Sequence, residues 1–228
     1  MNFTKLLKIK QILYNGYGYI AAGLICFIHL IPNEYVLPSI TLLILVNILV
    51  LFTQIVVTNM KRNIIDIAIS LFGVCYIVFF IMFAPLIRDS MENGNILIWY
   101  VFFAAWGTDT LAYLIGKNFG KHKFTEVSPK KTVEGCLGGL LGSILFCIFY
   151  TFVCNNLWNL EISYTYILGI SIFLSVISQI GDLAASCVKR YCEIKDYSNL
   201  IPGHGGILDR IDSVIFILPF AYFLLSVL

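Results

Sequence analysis

Apolar residues in this chain come in runs of about twenty, separated by short polar stretches. Seven runs stand out, at residues 12–31, 36–57, 64–87, 95–116, 132–154, 162–185 and 207–228. A helix rises about 1.5 Å per residue, so each run can cross a hydrocarbon core of about 30 Å. Strands of a membrane barrel would be about ten residues long and would alternate polar with apolar positions, which these runs do not. Within a bilayer every backbone N–H and C=O must find a partner, and a helix supplies one inside each segment. The pattern predicts an all-α polytopic membrane helix bundle of about seven transmembrane helices. No repeat, linker or low-complexity tract divides it, so residues 1–228 read as a single integral membrane domain. Residues 1–94 are poor in motifs, and 95–228 carry the candidate catalytic spans and loops.

Composition agrees: 59% of residues are hydrophobic and only 12% charged, against roughly 25% charged in soluble domains. The placement of charge then sets the orientation. With the N-terminus inside, the inner segments hold Lys5, Lys8 and Lys10; Lys61 and Arg62; Lys117, Lys121, Lys123, Lys130 and Lys131; and Lys189, Arg190, Lys195 and Arg210. Of the 15 basic residues only Arg88 falls outside. The positive-inside rule therefore predicts a cytoplasmic N-terminus. Lacking a small-residue cleavage site, the first run reads as a retained span rather than a signal peptide. The seven cysteines form no CxxC pair and read as small apolar side chains. His29 reads as an interfacial or packed histidine, Asp66 as a carboxylate near interfacial water, and Arg88, Asp89 and Glu92 as a solvated outer loop.

Polar residues gather at the inner side. Asp109 lies about two turns above the inner end of the fourth span, where an unpaired charge costs several kcal/mol. In Ser128-Pro129-Lys130-Lys131, Pro129 suits the first turn of the fifth span with Ser128 as its cap. That places Lys130 and Lys131 at a helix N-terminus, which already favours phosphate. The glycines at 135, 138, 139 and 142 predict close helix packing. If the sixth span continues as a helix, Asp182, Ser186 and Lys189 share one face, with Gly181 leaving room beside the carboxylate. Asp209 and Asp212 share a face at the start of the seventh.

Three carboxylates, Asp182, Asp209 and Asp212, are thus expected to converge, with Asp109 nearby. Such a group must protonate, pair, or bind a cation. Oxygen ligands with no cysteine favour Mg²⁺ over zinc. Lys130, Lys131, Lys189, Arg190 and Arg210 surround the group as phosphate-binding cations. The turn at Gly203, Gly205 and Gly206 offers backbone N–H groups to an oxyanion. Together these suit phosphoryl or nucleotidyl transfer, without a Walker A loop: residues 116–121 have the wrong spacing for one. An ion-pair cluster closing the mouth of the bundle is the plainer reading, but glycine flexibility and surplus carboxylates would serve packing poorly.

The run Ser186 to Asp212 also resembles the signature of bacterial-type phosphatidate cytidylyltransferases (CDP-diacylglycerol synthases). The matching positions are Ser186, Lys189-Arg190, Lys195-Asp196, Pro202, His204-Gly205-Gly206, Asp209-Arg210 and Asp212. Trp106 to Gly116 and Ser128 to Gly135 look like two further blocks of that family, so the resemblance covers roughly the C-terminal 60%. It implies an enzyme, a nucleotidyltransferase of phospholipid biosynthesis that makes CDP-diacylglycerol and pyrophosphate from CTP and phosphatidate. It implies a multi-pass protein of the cell (inner) membrane with a cytoplasmic active site. Asp182, Asp209 and Asp212 would hold Mg²⁺, with a second cation such as K⁺ as a candidate. Lys189, Arg190 and Arg210 would bind phosphates, and His204 would either orient a phosphate or a carboxylate or make a structural hydrogen bond in the turn. Asp109, Ser128, Lys130, Lys131, Ser186, Gly205 and Gly206 would line the substrates. A second copy of the chain is a candidate partner; nucleic acid is not. Two rivals remain at this point, a CTP-dependent kinase of polyprenol or phytol type and an ion-coupled transporter. The first would release CDP, and the second would need polar residues at mid-membrane and on both sides.

Overall fold

Each long apolar run that falls among the described residues is helical. The computed structural model describes residues 33–57, 64–198 and 205–227. The first predicted span, His29 and the topology charges Lys5, Lys8, Lys10, Lys61 and Arg62 lie outside them, as do Gly203 and His204. By internal contacts the chain divides into two compact units, with the boundary between Pro85 and Leu86.

The first unit contains α1 (Asn33–Val57) and α2 (Ile64–Gly73), which continues as a π-helical stretch (Val74–Phe79); α3 (Phe83–Ser90) carries the unit boundary. The third predicted span is therefore one apolar run but not one regular helix. Aromatic side chains crowd the irregular stretch: Phe72 stacks on Tyr76 at 5.8 Å, and Phe79 meets Phe83 edge-on at 5.4 Å. Such π-helical turns are rare local interruptions of α-helices.

The second unit contains α4 (Gly94–Leu97), α5 (Trp99–Phe119), α6 (Val133–Trp158), α7 (Tyr164–Tyr191) and α8 (Leu208–Leu225). Among the described residues four helical stretches are long and apolar enough to cross a membrane: Leu71–Ser90, Gly94–Phe119, Val133–Trp158 and Tyr164–Tyr191. Leu137, Leu141, Leu145, Phe149 and Phe152 are all exposed along one side of α6. A continuous apolar stripe of this size suits lipid and would promote association in water.

Helices α5 and α6 form the largest contact in the unit. The small residues of α6 explain it, as expected. A Cβ at Gly138 would lie 2.7 Å from the Ile115 side chain, and one at Gly135 would lie 2.9 Å from the Ala112 carbonyl oxygen. At Gly142 the two backbones meet directly, with Gly107 opposite. Helix α7 is tied to this pair by polar bonds inside the apolar interior. Thr108 Oγ1 donates to Ser175 Oγ (2.8 Å), Ser143 Oγ to the Ser171 carbonyl (2.9 Å), and Gln179 Nε2 to the Cys136 carbonyl (3.1 Å). Gly181 has a different role from the one expected. A Cβ there would lie 2.6 Å from Phe216 Cβ, so the missing side chain admits an aromatic ring of α8 rather than clearing space for Asp182.

Candidate active site

The C-terminal end of α7 and the N-terminal ends of α6 and α8 meet at one end of the second unit. The segment before α6 sets the first contact. Thr132, not Ser128, caps α6: its Oγ1 accepts from Gly135 N at 3.1 Å, and the helix begins at Val133. Ser128 instead opens a tight turn in which Lys131 N donates to its carbonyl at 3.0 Å. Pro129 occupies the second position of that turn, where its fixed φ belongs. Lys130 is exposed on the turn. Lys131 points inward, with Nζ 2.5 Å from Asp182 Oδ2.

Helix α7 runs to Tyr191, six residues beyond the predicted span, so Asp182, Ser186 and Lys189 do belong to one helix. Lys189 Nζ donates to Asp209 Oδ1 at 3.0 Å and stands 3.7 Å from Asp212 Oδ2. Its ammonium also lies over the Tyr197 ring, 5.3 Å from the centroid. That ring shields one side of the charge, a favourable cation–π arrangement.

The two oxygens of Asp209 divide their duties. Oδ2 accepts from Tyr197 N and Gly206 N, both at 2.9 Å, and Oδ1 faces Lys189. Its side chain is only 3% exposed, so it staples the loop after α7 to the start of α8. Gly206 N–H is thus spent on a carboxylate of the chain itself, not on a substrate oxyanion as expected. Gly205 beside it has φ +79°, a conformation that glycine adopts without strain. Tyr197 OH donates to the Ala185 carbonyl at 3.2 Å. Burial first, and then the charges of Asp212 and Asp209, push the phenol well above its usual range, so it stays protonated and remains a donor.

Asp212 Oδ1 accepts from Ser213 N at 2.9 Å, and Ser213 Oγ donates to Asp109 Oδ2 at 3.2 Å. Ser213 therefore links the carboxylate of α5 to that of α8. Asp182 is near enough for its charge to act on both Asp109 and Asp212. Of the expected trio Asp182, Asp209 and Asp212, the last two share the Lys189 ammonium, whereas Asp182 pairs with Lys131. Ser186 is half-buried on α7, whereas Arg190 and Arg210 are exposed. Among the described residues no three His, Cys, Asp or Glu side chains are gathered so as to hold one metal ion. Lysine ammonium groups stand against the carboxylate oxygens instead.

Sequence reasoning missed Ser213, Tyr197 and Glu134. Ser213 carries no signal beyond adjacency to Asp212. Tyr197 follows Lys195-Asp196 directly, but only the loop's fold turns its backbone to Asp209. Glu134 stood in the recognised block without a role; its carboxylate binds the segment before α6.

A family model described as the cytidylyltransferase family matches residues 2–228. The phosphatidate cytidylyltransferase of Bacillus subtilis (strain 168) is 45% identical over 141 residues, 61% of this chain and 51% of that protein. Its counterpart in Staphylococcus aureus (strain COL) is 40% identical over 174 residues, 75% of this chain and 63% of that protein. That of Staphylococcus haemolyticus (strain JCSC1435) is 38% identical over 180 residues, 77% of this chain and 65% of that protein. The chain thus spans between about half and two-thirds of the length of these curated relatives. With the family model matched over residues 2–228, the chain belongs to the cytidylyltransferase family.

Proposed function

We propose that this chain transfers CMP from CTP to phosphatidate, giving CDP-diacylglycerol and pyrophosphate at the cytoplasmic leaflet of the cell membrane. One observation carries the reading: Lys131–Asp182 and Lys189–Asp209/Asp212 are paired where three helix ends meet. In the reaction an oxygen of the phosphatidate phosphate bonds to the α-phosphorus of CTP. The bond from that phosphorus to the bridging β-oxygen breaks, and its electron pair leaves with pyrophosphate. The attacking phosphate is already anionic near neutral pH, so no strong base is needed. The demand is to bring anions together and neutralise the leaving group.

This chain's residues meet that demand by exchange. Lys131 and Lys189 are held by carboxylates without substrate and turn to phosphate oxygens when CTP arrives. Arg190, Arg210 and Lys130, exposed around them, widen the positive field that draws both anions in. Asp209, anchored through Oδ2, keeps Oδ1 aimed at the site, and Ser213 fixes Asp109 and Asp212 relative to each other.

The donor set fits Mg²⁺, which binds through one or two carboxylates plus substrate phosphates rather than a full protein cage. A cation, the Lys189 ammonium, already bridges Asp209 Oδ1 and Asp212 Oδ2. Asp209 and Asp212 would hold the ion, which would supply charge neutralisation at the pyrophosphate when bound.

The test is turnover by purified protein given labelled CTP, phosphatidate and Mg²⁺. Labelled CDP-diacylglycerol and an equal amount of pyrophosphate are expected. Release of CDP with a prenol acceptor, or hydrolysis of CTP that ignores phosphatidate, would overturn the reading.

A further inference from the structure

We propose that Glu134 is a positioning residue of the transfer site: it closes the base of the basic hairpin 121–132 and so fixes the backbone root from which Lys131 reaches the site. The inference rests on the transferase reading above and adds to it a residue that touches neither substrate.

With Thr132 as the cap, Glu134 is the second residue of α6. A capping-box carboxylate would sit one residue later and return to the cap's own N–H; Gly135 occupies that place. Glu134 reaches back to the end of the preceding connection instead. Its Oε2 accepts from Lys121 N (3.1 Å) and His122 N (3.3 Å), and Oε1 pairs with His122 Nδ1 at 2.6 Å. Bonds from N–H groups to an ionised acceptor are about twice as strong as neutral ones.

Between these anchor points the chain folds back on itself. Val133 N donates to the His122 carbonyl and Phe124 N to the Lys131 carbonyl, both at 2.9 Å, and the turn at Ser128 closes the far end. The route is narrow: a Cβ at Gly120 would come within 2.6 Å of Thr132 Cγ2. Lys131 thus leaves the hairpin with a fixed root, and its ammonium meets Asp182. Glu134 is bonded to the other strand of the same hairpin, so releasing it loosens Lys131 without removing any charge from the site.

The experiment is a double-mutant cycle of E134A and K131A, read on the Kd of CTP with Mg²⁺ and on kcat/KM. E134A alone is expected to weaken both by roughly tenfold, and by less than about twofold when K131A is already present. E134Q, which keeps one acceptor oxygen for the backbone N–H groups, recovers part of the loss, and H122A loses less than E134A. Gel filtration and active-site titration separate folding from positioning. The proposal is overturned if E134A costs as much in the K131A background as alone. It also falls if E134A only lowers the active fraction at unchanged Kd and KM. A wild type that binds CTP without forming CDP-diacylglycerol sinks the transferase reading alone, because the cycle is also read on binding.

Discussion

The two ends of the second unit are tied by different chemistry. At one end the ties are neutral: Asn155 exchanges two hydrogen bonds with the backbone of Ile162 (3.0 and 2.8 Å), and Tyr166 OH donates to the Leu224 carbonyl at 2.7 Å. At the other end the ties include ion pairs, Lys131 with Asp182 and Lys189 with both Asp209 and Asp212. Neutral bonds of this kind contribute about 1 kcal/mol each and simply hold. Ion pairs taken partly out of water hold less reliably, because desolvation offsets much of their attraction. A charged ligand can therefore compete for them, which is what distinguishes the proposed site from the clamp at the other end.

The sharpest way to break this contrast is Asp212→Asn. It leaves shape nearly unchanged but removes a charge from the reacting end, and it should lower CMP transfer by about 100-fold or more. The purified variant should still elute as the wild type does on gel filtration; near-normal turnover would strip Asp212 of its role. Next comes Asn155→Ala at the opposite end. Losing two hydrogen bonds should destabilise the protein by about 2 kcal/mol, seen as a lower thermal midpoint, with turnover per folded molecule unchanged. Loss of activity in step with that midpoint would mean that the ends are not separable. The smallest effect is expected at Glu193, which follows α7 with φ 57° and no glycine to ease it. Glu193→Gly should relieve about 1 kcal/mol of left-handed strain, raising the midpoint slightly. A lowered midpoint would show that the Glu193 side chain contributes more than its backbone costs.

Much of this was legible in the residues themselves. Run length alone predicted helices near their observed bounds, because in lipid only a helix satisfies a lone backbone segment. The glycines of α6 announced a close approach, and the spacing of Asp182, Ser186 and Lys189 placed them on a common face. Local chemistry misled where two candidates competed. Ser128 and Thr132 are both sound caps, and Pro129 is at home in a helix's first turn and in a β-turn alike. Only the hairpin, paired through Lys123 and Thr132, decided between them. The aromatic-rich third span hid its π-helical stretch, since apolar length says nothing about a local change in backbone hydrogen-bond register.

What the chain determined by itself was an all-α membrane architecture and the identity of the charged groups, since both follow from residue type and from spacing along one element. Only the tertiary structure decided which charge faces which: Lys131 with Asp182, Lys189 between Asp209 and Asp212, Ser213 joining Asp109 to Asp212, and Glu134 holding the hairpin. These partners lie on different helices and loops. Their distances come from how the elements pack, which the pattern along any single run does not contain.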